Sequence, residues 1–252
     1  MANWAMITGA TAGLGAEFAE QLARQGKGLV LVARDSARLE KKAAALRSRF
    51  SVAVEVLAAD LHDDDGVRRV LDRLRDSTEP VSTLVNNAGY GLPKSFEANP
   101  LEDELNHAAI HLTVPLALSH AALQGMLARG SGQIVNVASV AGFTPRGTYG
   151  ALKAAMINFS TWANFAYKSR GVTVMALCPG FVHTEFHQRM GMDKGSVPRW
   201  MWLDAQGVVG AALKDLSAGK AVSIPSLRYK VLAFVARNAP SSLVARLAAR
   251  GR

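Results

Sequence analysis

The sequence opens with the pattern of a strand, a glycine-rich turn and a helix. Residues 4–7 form a short apolar run with strand character, and a helical pattern with Phe18 and Leu22 on one face runs from about 14 to 25. Between them, residues 8–15 contain three glycines. A strand that turns sharply into a helix is the first half of a βαβ unit, so the sequence predicts an α/β fold on a parallel sheet.

The three glycines of this turn each have a role that a larger residue would disturb. Gly9 allows a tight turn, Gly13 lets the backbone approach a pyrophosphate, and Gly15 allows close packing of helix on strand. The helix N-terminus supplies free N–H groups and a partial positive charge for phosphates. The spacing Gly-x-x-x-Gly-x-Gly differs from the commoner Gly-x-Gly-x-x-Gly, and a turn without a ligand is the alternative.

Apolar strand-like runs alternate with helical patterns along the rest of the chain, as expected of βαβ units. The pattern predicts strands near 4–8, 29–33, 53–59, 83–86, 133–138, 172–177 and 221–224, and helices near 14–25, 36–49, 64–77, 101–129, 149–169 and 204–217. We therefore predict an α/β fold: a single Rossmann-like domain with a doubly wound parallel sheet of about seven strands and helices on both faces. This domain is expected to cover residues 1–226, followed by a basic amphipathic helical extension at 227–252.

Length and cysteine content are consistent with a cytoplasmic protein. The 252 residues suffice for one domain with a substantial core. No run reaches the roughly 20 uninterrupted apolar residues of a membrane span, and a strand begins almost at once, so no signal peptide is expected. The single cysteine, Cys178, excludes an internal disulfide and is interpreted as a small core residue.

Charge is distributed unevenly. The net charge is +9, yet residues 216–252 hold seven Lys or Arg and no Asp or Glu. The body is therefore almost neutral and the C-terminal segment is basic, which argues against a nucleic-acid enzyme and for a local cationic surface.

Three polar residues form a candidate centre for proton transfer to a carbonyl oxygen. Tyr149 and Lys153 stand one helical turn apart, so the lysine charge is expected to lower the tyrosine pKa from its ordinary value of about 10. Ser139 ends an apolar strand and would hold the substrate oxygen beside Tyr149. An exposed tyrosine and lysine on a helix surface are the alternative for the bare pattern.

Taken with the glycine turn, these residues make the chain resemble the short-chain dehydrogenase/reductases, over nearly its whole length. The resemblance rests on 8–15, Asp60 with Leu61, 86–89, Ser139, Tyr149 with Lys153, and Pro179 with Gly180 and Thr184. Residues 130–142 look like the bacterial branch of ketone and acyl-chain reductases. The resemblance implies a nicotinamide cofactor bound by Gly9, Thr11, Gly13, Leu14, Gly15, Asp60, Leu61, Asn87, Ala88, Gly89, Tyr149, Lys153, Pro179, Gly180, Val182 and Thr184. No metal site is predicted.

The end of the second strand favours NADP over NAD. NAD-specific sites generally place a carboxylate there for the ribose hydroxyl, but Ala33 occupies that position. Arg34 follows and has the planar fork that pairs with a 2′-phosphate, as in the NADP-using relatives that the Ala-Arg pair resembles, with Arg38 as a second candidate. A solvated surface charge at Arg34 is the alternative. Asp35 leaves an ambiguity, because a register shift of two residues would place it on the ribose.

Two features depart from the family pattern. His111 stands where relatives usually have an asparagine that helps to hold a water in a proton relay, and we hypothesise that it keeps the relay. The loop between Ser139 and Tyr149 is shortened, with a tight turn indicated by Pro145 and Gly147. A shorter loop weakens the expectation that Ser139 meets Tyr149, and Thr144 or Thr148 is the alternative hydroxyl.

The irregular stretch 181–203 is interpreted as a substrate lid, because it follows a strand's carboxyl end, where α/β proteins bind ligands. Packing onto the body or a neighbouring subunit is the alternative. Phe143, Phe181, Trp200 and Trp202 are the candidate lining of an apolar substrate pocket. The pattern favours a hydrophobic ketone or secondary alcohol, since no basic cluster near the motifs indicates a charged substrate.

The C-terminal segment has apolar residues at helical spacing, including Leu227, Val231 and Phe234. Such a basic amphipathic helix can touch an anionic membrane peripherally, cover a substrate pocket or pack against another subunit. A homodimer or homotetramer is expected from the resemblance, through the helices near 101–129 and 149–169. Two other functions stay open: a nucleotide-binding sensor or scaffold with weak catalysis, and an isomerase, epimerase or dehydratase.

Overall fold

The computed structural model describes residues 3–185, 197–240 and 244, and the statements below concern those residues. The strands are β1 (Trp4–Thr8), β2 (Gly28–Ala33), β3 (Val54–Ala58), β4 (Val81–Asn86), β5 (Gly132–Val137), β6 (Val172–Leu177) and β7 (Val222–Ser223). The helices are α1 (Gly13–Arg24), α2 (Ser36–Phe50), α3 (Asp64–Arg75), α4 (Leu101–Ala108), α5 (Val114–Arg129), α6 (Gly147–Tyr167), α7 (Ala205–Ser217) and α8 (Leu227–Asn238).

The seven strands form one parallel sheet in the order β3-β2-β1-β4-β5-β6-β7. The chain winds outward from β1 to β3, crosses back and continues from β4 to β7. This reversal places the carboxyl ends of β1 and β4 side by side, and open α/β sheets bind ligands in the crevice at such a point. The predicted doubly wound sheet is confirmed.

Alternating residues of each inner strand enter two separate cores. In β1, Ala5 and Ile7 pack with α1, α2 and α7, whereas Trp4 and Met6 face the opposite core with α3 and α5. Side chains of a strand point alternately to the two faces of its sheet, so a strand buried on both faces is mainly apolar. The buried polar side chains of β4 and β5 are paired, as where the Asn86 amide donates to Asn136.

The predicted helix at 101–129 is interrupted, which corrects the expectation of one continuous helix. Residues Ala109–Thr113 form a π-helical turn, in which the Val114 N–H donates to the carbonyl of Ala109, five residues earlier. Pro115 follows and has no N–H to offer the carbonyl of His111, so the regular α pattern cannot pass through this point. The interruption lies at the position of His111.

The combined stretch Leu101–Arg129 is long and apolar enough to cross a membrane, with a mean hydropathy of 1.2. However, 56% of the most apolar 18-residue segment of this stretch is buried inside the protein. Leu118, Ala122 and Met126 pack under the sheet with side chains of α3. A helix in the core of a globular domain can be equally long and apolar, and the packing of α5 under the sheet is that of a core helix.

Candidate active site

The glycine turn forms a cradle that a side chain would fill. Gly9 and Gly13 both adopt positive φ, at +67° and +55°. A Cβ on Gly15 would lie 2.3 Å from the carbonyl oxygen of Gly9, and one on Gly13 would lie 3.2 Å from Thr184. Ala12 precedes α1 without a side-chain cap, which leaves the first N–H groups of the helix for a ligand.

The ends of β1 and β4 are tied together beside this cradle. The Thr8 hydroxyl accepts from the backbone N–H groups of Asn87 (2.9 Å) and Ala88 (3.0 Å). In return, the Asn87 amide donates to the Thr8 carbonyl at 2.9 Å. These bonds fix the backbone at 87–88 along one wall of the crevice, where Asn87, Ala88 and Gly89 line the cavity.

Asp35 has a structural role in this region. Its carboxylate caps α2 by accepting the Arg38 backbone N–H at 3.0 Å. The Arg34 side chain is 70% exposed and lies 3.9 Å from Asp60. The Arg38 guanidinium pairs with Glu185 at 3.0 Å. Arg34 and Arg38 therefore both lie near the end of β2, each close to a carboxylate, and neither lines the cavity.

Ser139, Tyr149 and Lys153 converge on one cavity. The Lys153 amine donates to the Val137 carbonyl at 2.7 Å and lies 5.6 Å from the centre of the Tyr149 ring. A hydrogen bond joins the side chains of Ser139 and Tyr149. The shortened loop therefore does not separate these two hydroxyls. It forms a 3₁₀ turn at Val140–Phe143 that Ser139 caps, and Gly147 then begins α6 at φ +59°.

Burial governs the ionisation of this pair. It raises the pKa of Tyr149 to about 12, while the hydrogen bond from Ser139 and the charge of Arg146 act in the lowering direction. Burial also lowers the pKa of Lys153 to about 7. The sequence predicted that Lys153 would lower the tyrosine pKa. In the structure Lys153 is not among the groups that lower this pKa, and the desolvation of the phenolate outweighs the effects of Ser139 and Arg146.

His111 lies in the π turn, against Tyr149 and the end of β4. Its Nε2 lies 2.7 Å from the Tyr90 carbonyl oxygen, which can only accept, so Nε2 carries the hydrogen. Its ring meets the Tyr149 ring edge to face, 5.6 Å between centres. A Cβ on Gly89 would lie 2.3 Å from the imidazole. Burial lowers the pKa of His111 well below its usual value, so the ring is neutral at neutral pH.

Two buried polar residues precede His111 on the same helical face and were not singled out from the sequence. The ring of His107 lies 4.5 Å from that of His111 and 5.9 Å from that of Tyr149. Glu104 accepts from the Thr148 hydroxyl at 2.6 Å and from the Asn99 amide at 2.8 Å. The spacing of 104, 107 and 111 along a helix was the available signal. Thr148, an alternative hydroxyl for the substrate, is thus engaged by Glu104.

The cavity has a volume of about 520 Å³ and runs from the glycine turn past Tyr149 to α8. Phe181 and Thr144 line it, but Phe143, Trp200 and Trp202 do not. Phe143 lies under the Arg237 guanidinium, Trp200 is exposed, and Trp202 is buried, 4.7 Å from the His183 ring. Phe143 and Trp202 pack against other side chains and Trp200 faces solvent, so the assignment of these three residues to the cavity lining is corrected.

Other cavity-lining residues were not named as site residues from the sequence, although 181–203 was predicted to form a lid and covering the pocket was one of the roles open to the C-terminal helix. They are Tyr90, Arg146, Met201, Tyr229, Leu232, Ala233, Val235, Ala236 and Ala239. Most belong to α8, so this helix forms one wall of the cavity. Arg146 adds a positive charge near Tyr149 and lies in the loop between the Ser139 and Tyr149 motifs.

Tyr229 joins α8 to the stretch that was expected to form a lid. Its hydroxyl accepts from the Phe181 N–H at 3.1 Å and donates to the Met201 carbonyl at 2.7 Å. Backbone bonds between 181–183 and Leu203 close the base of this stretch, at 2.8 and 3.0 Å. The predicted lid residues Phe186, Met190 and Met192 lie outside the described residues.

Residues 3–195 match the family model described as short chain dehydrogenase. The chain belongs to the short-chain dehydrogenase/reductase family. It is 35% identical to a short-chain dehydrogenase from Sphingobium yanoikuyae whose structure was solved in complex with NADPH, with a TM-score of 0.86 over 91% of this chain and 92% of that one.

Further relatives of this short-chain dehydrogenase/reductase act on large carbonyl compounds according to their names. A bulky-bulky ketone specific alcohol dehydrogenase from Comamonas testosteroni is 32% identical, with a TM-score of 0.81 over 91% of this chain and 90% of that one. A very-long-chain 3-oxoacyl-CoA reductase from Anas platyrhynchos is 32% identical over 191 residues, 72% of this chain. That match spans 60% of the duck enzyme's length.

The crevice of this family member fits a nicotinamide dinucleotide. The cradle at the glycine turn admits backbone but no Cβ, as close approach of a pyrophosphate requires. It continues without a break to Tyr149 and Lys153 and to the turn at Pro179 and Gly180.

Proposed function

We propose that this protein is an NADP(H)-dependent oxidoreductase that transfers hydride between nicotinamide and a hydrophobic ketone or secondary alcohol. The observation that carries the proposal is the convergence of Ser139, Tyr149 and Lys153 in the cavity that begins at the glycine turn. Bound NADP(H) would supply the hydride chemistry, and the residues of the chain supply orientation and a proton.

Tyr149 is the acid and base of the proposed reaction. Its pKa of about 12 keeps it protonated at neutral pH, as a proton donor in ketone reduction requires. The Ser139 side chain, bonded to Tyr149, would orient the substrate oxygen toward the same hydroxyl. Lys153 is held by the Val137 carbonyl behind the tyrosine ring, where it would contact the nicotinamide ribose and stabilise the phenolate that forms after proton transfer.

His111 is proposed to support this centre through its bond to Tyr90 and its contact with Tyr149. A neutral imidazole with hydrogen on Nε2 leaves Nδ1 as an acceptor, which is compatible with a water-mediated proton relay. An asparagine side chain, as in the family pattern, is shorter than histidine. The His111 ring therefore also fills space beside Gly89.

The preference for NADP rests on Arg34. The exposed Arg34 guanidinium, directly after β2, suits a 2′-phosphate, and Ala33 stands where a NAD-specific site generally has its ribose-binding carboxylate. The NADPH bound to the Sphingobium relative points the same way. Arg38 is placed to assist if its pairing with Glu185 opens.

The proposed substrate is a large apolar ketone or alcohol. The wall formed by α8 presents Leu232, Ala233, Val235 and Ala236 to a cavity of about 520 Å³. The printed substrates of the Comamonas and duck relatives, a bulky-bulky ketone and a very-long-chain 3-oxoacyl-CoA, are also large. Phe181 is the one residue of the predicted pocket that the cavity includes, so it is retained as a substrate contact.

The proposed activity is tested by measuring NADPH and NADH consumption with a panel of ketones that runs from small to bulky and long-chain compounds. We expect turnover with NADPH, an advantage for bulky ketones, and loss of the NADPH preference in Arg34→Ser. Arg24→Ser, an exposed arginine of α1 away from the cavity, is the matched control. A wild-type preference for NADH would contradict the cofactor assignment.

We also propose that the protein forms a homodimer or homotetramer in the cytoplasm, with 1–226 as the catalytic domain and 227–252 as an extension of it. Leu101 and Leu105 on α4 and Trp162 and Phe165 on α6 are large exposed apolar residues suited to a subunit contact. Light scattering after size-exclusion chromatography is the direct measurement, and a monomer at all concentrations would contradict this assignment.

A further inference from the structure

The outer face of α8 carries large apolar side chains in contact with solvent. Leu227, Val231 and Phe234 are 78%, 55% and 67% exposed. At 3.6 residues per turn these positions fall within a narrow strip along one side of the helix. The opposite side holds Tyr229 and Ala233, which are buried against the body. The strip is therefore an apolar surface that the fold leaves uncovered among the described residues.

Basic side chains border this strip on both sides. By the same helical geometry, Arg228 lies along one edge and Lys230 along the other, whereas the Arg237 guanidinium turns back over the Phe143 ring. Arg228 and Lys230 are exposed. They belong to the segment 216–252, which holds seven Lys or Arg and no Asp or Glu. An apolar strip between two basic edges is typical of helices that lie in the interface of an anionic membrane.

The charge of the segment argues against a second copy of this chain as the occupant. In a symmetric dimer the same patch meets itself, so the basic edges of two α8 helices would approach each other without an acidic residue of the segment to pair with. An anionic partner avoids this repulsion. A lipid bilayer provides both the negative surface and the apolar medium that the strip needs.

We propose that α8 docks this protein on an anionic lipid bilayer, with its apolar strip at the acyl boundary and its basic residues among the headgroups. The position of the cavity agrees with this arrangement. Leu232 and Val235 are both partly exposed and line the cavity, so its mouth opens next to the strip. A docked α8 therefore brings the entrance of the cavity to the membrane surface, where an apolar substrate is concentrated.

Sedimentation with vesicles tests the proposal without any reference to turnover, so its failure is distinguishable from failure of the proposed activity. The full chain is mixed with vesicles of phosphatidylcholine alone or of equal parts phosphatidylcholine and phosphatidylglycerol. We expect pelleting with the anionic vesicles only, and weaker pelleting as salt is raised. The variant Val231→Ser with Phe234→Ser is expected to stay in the supernatant.

Charge is tested separately with Arg228→Gln and Lys230→Gln. Removing each charge is expected to weaken binding to anionic vesicles about fivefold, from a contribution near the membrane surface of about 1 kcal/mol per basic residue. Phe96→Ser and Lys41→Gln are matched controls, since both residues are exposed and lie far from α8 in sequence, and both variants should bind like wild type. Circular dichroism verifies that every variant is folded.

Three results would overturn the proposal. The wild-type protein would stay in the supernatant with both kinds of vesicle, the serine variant of the strip would pellet as wild type does, or neutral and anionic vesicles would bind equally well. The first result would assign the strip to another occupant, such as an acidic protein.

Discussion

At the scale of single residues, the site is governed by the cost of burying charge. The Lys153 amine is buried, and desolvation brings its pKa from the ordinary 10.5 to about 7. The Tyr149 phenol is shifted in the opposite sense, to about 12, by the same cause. Burial therefore favours the neutral form of both groups, and the site becomes charged only when a partner compensates for the lost water.

The displaced pKa of Lys153 makes stability depend on pH. Between about pH 7 and 10.5 the unfolded chain holds a proton that the folded protein has lost, so raising the pH through this window stabilises the fold. The scale is roughly 1.4 kcal/mol for each unit of pKa displacement. Urea unfolding of wild type and Lys153→Met at several pH values should show that the free energy of unfolding of the wild type rises relative to that of the variant as pH rises.

Lys41→Met, which removes an exposed lysine, is the control for this measurement and should follow the wild-type slope. A difference between wild type and Lys153→Met that stays constant from pH 7 to 10 would show that the folded amine titrates at its ordinary value.

His111 gives a second prediction at this scale. His111→Ala removes the donor to the Tyr90 carbonyl and the ring beside Tyr149, and an unpaired buried acceptor costs about 1–3 kcal/mol. We expect a lower turnover rate and a changed pH profile. His111→Asn, which introduces the residue that relatives usually have, should recover part of the rate. An unchanged rate and pH profile in His111→Ala would remove the relay hypothesis.

At the scale of elements, two helical glycines differ in whether the surrounding structure leaves room for a side chain. A Cβ on Gly15 in α1 would collide with the Gly9 carbonyl at 2.3 Å, whereas one on Gly210 in α7 would meet only the Gln21 side chain at 3.6 Å. Gly15→Ala should therefore lower both stability and NADPH affinity. Gly210→Ala should be neutral or stabilise by roughly 0.5–1 kcal/mol. Thermal unfolding and NADPH titration of the two variants measure both effects.

Tyr229 provides a prediction for α8 as a wall of the cavity. Tyr229→Phe keeps the ring that fills the space above Gly180 but leaves the Phe181 N–H and the Met201 carbonyl without their partner. We expect a loss of about 1–3 kcal/mol in stability and a larger effect on KM than on kcat. Tyr167→Phe, at the end of α6, is the control. Wild-type stability and KM in Tyr229→Phe would show that these two bonds do not hold α8 in place.

The elements differ in how far the sequence determines them. The strand predictions lie close to the observed bounds, because each strand is an apolar run bounded by polar or glycine residues, and α1, α2, α3 and α7 follow their periodicity equally closely. The π turn was missed, since a pattern of apolar residues does not register one extra backbone position before Pro115. No single strand sequence indicates the order of strands in the sheet, so that order could be expected only from the fold class.

The site shows the same division. Residues within motifs, such as Ser139 and Tyr149, were found because their spacing is local and their chemistry is specific. Arg146 and individual α8 residues such as Tyr229 were not predicted as cavity lining, because their place depends on how distant elements pack. Covering the pocket was only one of three roles that the sequence left open for the C-terminal helix. Trp200 and Trp202 were assigned to the cavity because an aromatic side chain fits a packed interior and a substrate pocket equally well in sequence.

At the scale of the whole molecule, one crevice at the reversal of the sheet connects every part of the proposed activity. The glycine turn lies at its start, the Tyr149 centre in its middle, and α8 with its exposed strip at its mouth. The parallel sheet fixes the distances between the first two, since both lie at carboxyl ends of strands or directly after them. The third depends on the packing of a single helix, which makes it the part most open to change.

The role of Tyr149 is tested by NADPH consumption with a bulky ketone, measured for wild type beside Tyr149→Phe, with NADPH binding followed in both. We expect both proteins to bind NADPH and the variant to turn over the ketone at least about a hundredfold more slowly, the lower limit for losing a general acid. A Tyr149→Phe variant that keeps the wild-type rate, or a wild type that binds NADPH and converts neither ketones nor alcohols, would contradict this role.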